Sequence, residues 1–420
     1  MRILLVSPKG DGAWFAWKLK SEGHTVDWII LDHKYDGCFD GILPARATHP
    51  DPAKYDLVVF DSDGHGQQAD AARELVPTIG SSVLADKLED DRLFGLEVME
   101  QAGIRVPRWE AFDSPEKGIA WLKANNMRTV FKPVGEVPGD DKSTTYVSKG
   151  TDDMIAFMER VFQKAHIKSY ILQEVVLGTE TAVGGWFNGT DWVVVDHNIE
   201  LKKMMNDDVG PNTGCAAMCV WLPPRPTPMF QQGLEKITPF LRENNYVGPI
   251  DLNIIVTEGE AYGLEWTPRF AYEGTANLTA LLNMPFSEFL SAVAAGATPT
   301  FTQSHQFSVT LRAAVPPYPN AELSRKKLIV PILGVDIAKL DRMVLYDVKN
   351  VDGQLQTTGI YNCIGAPIRL GDTIEGAFAE ALAALKGLNV PDLMYRTDAG
   401  KKINARYQEL QRKGWLKSIG

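Results

Sequence analysis

Pro249–Phe270 reads PIDLNIIVTEGEAYGLEWTPRF. Two apolar, β-branched runs flank Glu258-Gly259, so the segment predicts a hairpin with its turn there. Asp251 lies on the outgoing strand and Glu265 on the returning one, and pairing across the turn is expected to bring them together. Two neighbouring carboxylates repel unless a cation lies between them. Mg²⁺ carrying nucleotide phosphates fits such a place, because it takes one or two carboxylates plus phosphate oxygens. Arg269 follows four residues after Glu265 and is placed to hold a transferring phosphoryl group.

Upstream lie two further elements of the same chemistry. TVFKPVG (Thr129–Gly135) predicts a short buried strand bearing Lys132, and EVPGDDKSTTYVS after it is a turn bearing Lys142. Lysines aimed at one point neutralise a polyphosphate, and glycine lets backbone N–H groups approach the oxygens. Asp141 rather than glycine precedes Lys142, so the turn is not a Walker A loop. LQEVVLGTE offers Gln173, Glu174 and Val176 as a hinge whose backbone can read adenine, with Glu180 placed for ribose hydroxyls. Taken singly, each of these reads more readily as surface charge or an exposed strand end.

The beginning of the chain has another grammar. Arg2–Ser7, Thr25–Leu31 and Tyr55–Asp61 read as strands alternating with helices, which predicts a doubly wound parallel sheet over about the first 80 residues. Ligands bind such sheets at the carboxyl ends of strands, where SPKGDG (Lys9, Gly10) and DSDGHG (Asp61, Asp63) fall. SPKGDG is not GxGxxG, so no dinucleotide site is expected. Asp86–Ala102 predicts one long amphipathic helix, and Ser114-Pro115 opens another with a serine cap. Helices are also expected at Thr373–Lys386 and near Asp398–Lys413.

A net charge of −10 over 420 residues disfavours broad nucleic-acid binding. No apolar run is long enough to span a membrane, and the start lacks a signal-peptide layout. The four cysteines, Cys38, Cys215, Cys219 and Cys363, form no CxxC pair or zinc pattern, which suits a reduced cytoplasm. Cys215 and Cys219 read as packing residues, since no histidine accompanies either, and His65 as a surface residue.

The order lysine strand, phosphate turn, hinge with carboxylate and metal hairpin resembles the ATP-grasp superfamily. LKKMMNDDVGPNTG (Leu201–Gly214) resembles the Lys-Arg…Asp-x-Gly-Pro-Asn-Thr-Gly-Gly signature of phosphoribosylamine–glycine ligases. LEWTPRF resembles that family's Glu-Phe-Asn-x-Arg-Phe, and DGQLQTTGIYNCIGAPIRLGDTIEGAFAEAL with MYRTDAGKK its C-terminal part. The resemblance covers essentially the whole chain.

It implies an α/β protein, α+β in its ATP-grasp part. A parallel-sheet domain at 1–83 precedes an ATP-grasp domain at 84–304, with a small subdomain at about 112–175, and a mixed C-terminal domain at 305–420. It implies ATP with Mg²⁺ (Mn²⁺ as substitute), and an amide bond formed through an acyl phosphate. Lys132, Lys142, Gln173, Glu174, Val176, Glu180 and Lys202 would hold ATP. Asp251, Glu265 and Thr267 would hold the metal. Arg269, Lys142 and Lys202 would serve the chemistry. Asn212, Thr213, Gly214, Arg269, Lys9, Gly10, Asp61 and Asp63 would line the substrate site.

The departures fall on the acceptor side. Thr267 stands where the family has Asn, Gly214-Cys215-Ala216-Ala217 where it has Gly-Gly-Met-Gly, and RFAYEG where it has Arg-Phe-Gly-Asp-Pro-Glu. SPKGDGAW replaces its glycine-rich N-terminal turn; with Asp61, Asp63, Trp14 and Trp17 nearby, this suggests a flat or cationic amine in place of an anionic sugar phosphate. The readings carried forward are a ligase joining glycine or a similar amino acid to an amine, the phosphoribosylamine ligase itself, a ligase for a modified nucleotide or base, and a non-catalytic nucleotide-binding regulator. The resemblance implies small-molecule partners and a monomer or homodimer.

Overall fold

The computed structural model describes residues 1–135, 145–164, 167–224, 226–320 and 328–417. Lys142 lies outside the described residues.

The N-terminal unit is a parallel sheet of β1 (Arg2–Ser7), β2 (Thr25–Ile30), β3 (Leu57–Phe60) and β4 (Thr78–Ile79), in the order β2-β1-β3-β4. Its central strands are near-continuous apolar runs because helices cover both faces. The helix Ala13–Ser21 buries Trp14, Phe15 and Leu19 against one face.

The expected single helix at Asp86–Ala102 is two, Val83–Asp90 and Arg92–Gln101. Asp91 breaks it: its N–H closes the first helix on the Lys87 carbonyl, and its side chain accepts from the Phe94 N–H, capping the second. Gly95 allows the chain to double back, since a side chain there would meet the Leu88 carbonyl at 2.8 Å.

The small subdomain is an antiparallel sheet of β5 (Trp109–Phe112), β6 (Thr129–Val134), β7 (Tyr146–Val147) and β8 (Ser169–Glu174), in the order β5-β8-β6-β7. The helices Pro115–Asn125 and Thr151–Lys164 accompany it, the first capped by Ser114 as expected. Phe131, Tyr170, Leu122 and Met158 form its core.

The largest element is a nine-stranded antiparallel sheet. It contains β9 (Thr179–Asn188), β10 (Trp192–Lys203), β11 (Asn212–Trp221), β12 (Val247–Val256), β13 (Ala261–Thr267), β14 (Phe307–Leu311), β15 (Ala313–Ala314), β16 (Met343–Leu345) and β19 (Cys363–Gly371). The order is β13-β12-β9-β10-β11-β14-β19-β15, with β16 on β19. A separate hairpin joins β17 (Val348–Val351) to β18 (Gln354–Thr357). Strands from the 84–304 and 305–420 segments are thus neighbours in one sheet, joined where β11 pairs with β14.

Strand alternation sorts the two faces. Ile199 and Leu201 of β10 enter a core shared with the helices Leu234–Glu243, Ile374–Lys386 and Ala399–Arg412. Asn198, Glu200 and Lys202 of the same strand point to a cavity on the other face.

Candidate active site

The cavity has a volume of about 360 Å³ and lies between the nine-stranded sheet and the carboxyl ends of β1 and β3. The pairing register arranges its floor in rungs. One rung runs Thr267, Asp251, Gly184, Asp196 across β13, β12, β9 and β10. The next runs Glu265, Asn253, Ala182, Asn198.

Asp251 therefore does not face Glu265 across the hairpin. It faces Thr267, and Glu265 faces Asn253. The hairpin register offsets the two carboxylates by one rung, so this side of the floor presents two carboxylates, an amide and a hydroxyl on neighbouring rungs. Asn253 is a residue the motif comparison missed; its place two residues beyond Asp251, on the same strand face, is the signal that reveals it. Among the described residues no three His, Cys, Asp or Glu side chains form a metal cage.

Lys202 Nζ lies 3.5 Å from Glu265 Oε1 and 3.9 Å from Glu180 Oε1. Burial opposes its charge, but Glu265, Glu200 and Glu180 outweigh that and hold its pKa above the ordinary value. Asn253 donates to Glu265 at 3.5 Å, and Asn198 to Asp251 at the same distance. Lys132 is buried on β6; burial first, then the Arg92 charge, bring its ammonium down to about 8, against the pull of Glu265 and Glu180. Burial pushes Asp251 up to about 7. Gly184 has a steric role here: a side chain on it would stand 2.4 Å from an Asp251 oxygen and 2.9 Å from both Asp196 oxygens.

Arg269 reaches the cavity already engaged, its Nε at 3.0 and 3.1 Å from the Glu89 oxygens and 3.4 Å from Asp63. Burial works to raise the Asp63 pKa, but Arg269 prevails and lowers it.

The hinge behaves differently from expectation. The Glu174 N–H donates to the Arg108 carbonyl at 2.8 Å and the Val175 N–H to Arg128 at 3.2 Å, because β8 continues its edge pairing past its end. Gln173 is buried with no hydrogen-bond partner for Nε2 among the described residues. Neither Gln173, Glu174 nor Val176 lines the cavity, and Glu180 meets it through Lys202.

In Leu201–Gly214 the ends are strand, since β10 runs through Lys203 and β11 begins at Asn212, and a turn joins them. Of Asn212, Thr213 and Gly214 only Gly214 lines the cavity. Asn212 is exposed, and Thr213 points back to donate to the Lys202 carbonyl at 2.8 Å. The turn between them is fastened from far along the chain. Arg396, fully buried, donates to the Lys203 carbonyl and Asp208 at 2.8 Å each and to Asp398 at 2.9 and 3.0 Å. Lys402 also pairs with Asp208, and Asn206 exchanges hydrogen bonds with Thr397.

At the N-terminal wall Lys9, Asp11 and Asp63 line the cavity, whereas Gly10 and Asp61 do not. Asp61 is buried beneath the turn after β1, accepting from Ser7 Oγ at 2.6 Å, and only glycine fits above it at position 12. Burial pushes Asp61 up to about 8, so it is uncharged at neutral pH and the expected repulsion of a phosphate by it is lost. Gly10 adopts φ +80° to make the turn and donates to Ser7 Oγ. Trp14 is also removed from the site: it is buried in the core with its indole N–H on the Leu340 carbonyl, and Trp17 packs on the same core. All four cysteines are free and buried, with burial raising their thiol pKas, so they pack rather than react.

The inner end of the cavity was invisible in the motifs. Glu200, Tyr272, Glu273, Arg312, Tyr346 and Tyr361 converge there from separate elements. Glu200 had a local signal, two residues before Lys202 on one strand face, and Tyr272 and Glu273 lie in the divergent RFAYEG stretch, whereas Arg312 and Tyr346 had none.

Residues 90–275 match the family model of the phosphoribosylglycinamide synthetase ATP-grasp (A) domain. This segment is an ATP-grasp domain. A phosphoribosylamine–glycine ligase of Fusobacterium nucleatum is 24% identical over 439 residues, covering 95% of this chain and 98% of that one. The chain carrying this ATP-grasp domain also superposes on the crystal structure of the Thermotoga maritima phosphoribosylamine–glycine ligase. There the TM-score is 0.70 at 19% identity, covering 95% of this chain and 100% of the other. A biotin carboxylase from Campylobacter jejuni gives 0.63 at 14%, covering 97% and 95%. Among the described residues no helix is long and apolar enough to cross a membrane.

Proposed function

We propose that this protein phosphorylates the carboxylate of glycine or a similar small amino acid with ATP, and passes the acyl group to an amine, releasing ADP and phosphate. The observation that carries the reading is the convergence of Lys202, Asn253, Glu265, Asp251 and Arg269 on one cavity. Two carboxylates one rung apart, with Asn253 and Thr267 as neutral donors, suit Mg²⁺ shared with nucleotide phosphates. That ion would supply charge neutralisation at the phosphates. Lys132 and Lys202 add positive charge from two different sheets. Arg269, held from one side by Glu89 and Asp63, orients the carboxylate and the transferring phosphoryl group. Lys9, Asp11, Ser62 and Asp63 form the N-terminal wall of the cavity, and an acyl phosphate requires the exclusion of water.

The roles of Gln173, Glu174, Val176 and Glu180 at the nucleoside, and of Lys142 at the phosphates, belong to the same proposal. A second reading, phosphoribosylamine as the acceptor, is favoured by the names of the relatives.

Hydroxylamine tests the mechanism. With ATP, Mg²⁺ and glycine it captures an acyl phosphate as the hydroxamate, in step with ADP. Release of AMP and pyrophosphate would mean adenylation and overturn the proposal.

A further inference from the structure

The inner end of the cavity is a built site. Arg312 is buried, with Nε 2.8 Å from Glu273 Oε1 and Nη2 also on that carboxylate, while Nη1 donates to the Tyr318 hydroxyl at 2.8 Å. Its guanidinium lies 5.4 Å from the Tyr346 ring centroid. Tyr346 lines the cavity and is only 4% exposed, and its hydroxyl has no hydrogen-bond partner among the described residues. A buried phenol is normally bonded, so this one is a polar group that its described protein surroundings leave unsatisfied. Tyr272 and Tyr361 add two further rings, and Met218 an apolar thioether. Tyr272 holds φ +37°, a backbone region costly for a bulky side chain, and such strain persists where the surroundings enforce it.

The charges around this end decide what it takes. Lys9, Arg269 and Arg312 face Asp11, Asp63, Glu89, Glu200 and Glu273, three cations against five carboxylates. Arg312 is paired with Glu273, and Arg269 with Glu89 and Asp63. Lys9 remains against Asp11, and Glu200 shares Lys202 with Glu265 and Glu180. Burial disfavours the charged form of Asp11 and Glu200, Asp11 rising to about 6, and an arriving cation would favour it. A phosphate arriving here meets an excess of negative charge; an ammonium supplies the charge the wall lacks.

Resting on the ligase reading, we infer that the inner end binds the acceptor as a phosphate-free, positively charged amine with a flat or apolar body. Asp11 and Glu200 face its nitrogen, the tyrosines cover its body, and the Tyr346 hydroxyl bonds a polar substituent. Such an amine places its nitrogen toward the acyl phosphate formed over the Lys202–Glu265 pair, and gives its proton to the Asp11 or Glu200 carboxylate before it attacks.

The test titrates tyramine and phosphoethanolamine separately into the full chain with Mg-ADP and glycine present, by calorimetry. Tyramine is expected to bind at least about tenfold more tightly, a difference of about 1.4 kcal/mol. Asp11→Asn is expected to weaken tyramine about tenfold, and Tyr346→Phe, which removes only the unpartnered hydroxyl, to weaken it several-fold. Equal or tighter binding of phosphoethanolamine, no binding of either probe at millimolar concentration, or unchanged tyramine affinity in both variants would overturn the inference. Hydroxamate capture scores the ligase reading separately: captured acyl phosphate with phosphoethanolamine preferred removes the inference and leaves the ligase.

Discussion

Replacing Arg396 by alanine isolates one long-range connection of the site. The guanidinium is fully buried and ties the turn after Lys203 to the segment before the last helix, through the Lys203 carbonyl, Asp208 and Asp398. Removing one partner of a buried ion pair costs about 3–5 kcal/mol. The figure here is smaller, because the Asp208 side chain is 39% exposed and keeps Lys402, while Asp398 keeps the Asp207 N–H. About 2–3 kcal/mol is left, and it falls on local opening of the turn, whose own hydrogen bonds join the Met204 N–H to Pro211 and the Met205 N–H to Val209. At 1.4 kcal/mol per decade, amide exchange at Met204 and Met205 accelerates about 30- to 150-fold. Arg396→Lys restores the charge without the two-armed geometry and falls between. Acceleration of less than about threefold in Arg396→Ala would show that the turn holds itself and refute the reasoning.

Three other outcomes follow from the site. Asp61 has a folded-state pKa raised to about 8, so its contribution to stability is fully present below the ordinary carboxylate range and is lost as pH rises through 8; unfolding free energy by urea is expected to decline from pH 5 to 8, and less steeply in Asp61→Asn. Lys132, brought down to about 8, is expected to lose its charge as pH rises above that value, so ATP affinity by calorimetry weakens there in the native chain but not in Lys132→Arg. Glu265→Gln and Asn253→Ala are each expected to lower Mg²⁺-dependent ADP release at least about a hundredfold with unchanged circular dichroism, while Thr267→Asn keeps or raises it.

Much of the architecture was legible because it is local. The apolar runs at Arg2–Ser7 and Thr25–Leu31, the Glu258-Gly259 turn, and the Ser114 cap each act within a few residues, and all appear. The break at Asp91 was missed because a carboxylate in an amphipathic pattern reads as solvent-facing until its hydrogen bond to Phe94 is seen. The hairpin around Glu258-Gly259 was placed correctly but its register was not, since pairing shifted by two residues preserves the same alternation of faces. Lys9, Asp63, Lys202, Gly214, Asp251, Glu265, Thr267 and Arg269 do share the cavity. Asp61 was misassigned because a DxD turn at a strand end looks the same whether its first acid faces ligand or supports the neighbouring glycine turn. The inner wall had no motif at all: Arg312, Tyr346 and Tyr361 become neighbours of Glu200 only when β11, β14 and β19 pair.

That pairing has a consequence for how the protein can be divided. A chain ended at residue 304 keeps every residue proposed for nucleotide and metal, yet it is not a smaller working version of the enzyme. The Ala217–Val220 backbone, now hydrogen-bonded to Ser308–Leu311, would become a raw margin of buried, apolar sheet, open to the next copy of itself. The cavity would lose Arg312, Tyr346, Tyr361 and Cys363 from its wall, and the turn after Lys203 would lose Arg396. The last quarter of the sequence is therefore no appendage to be exchanged between relatives at will; partner choice and structural integrity were bound into one inheritance, and change in either must pass through the same strands.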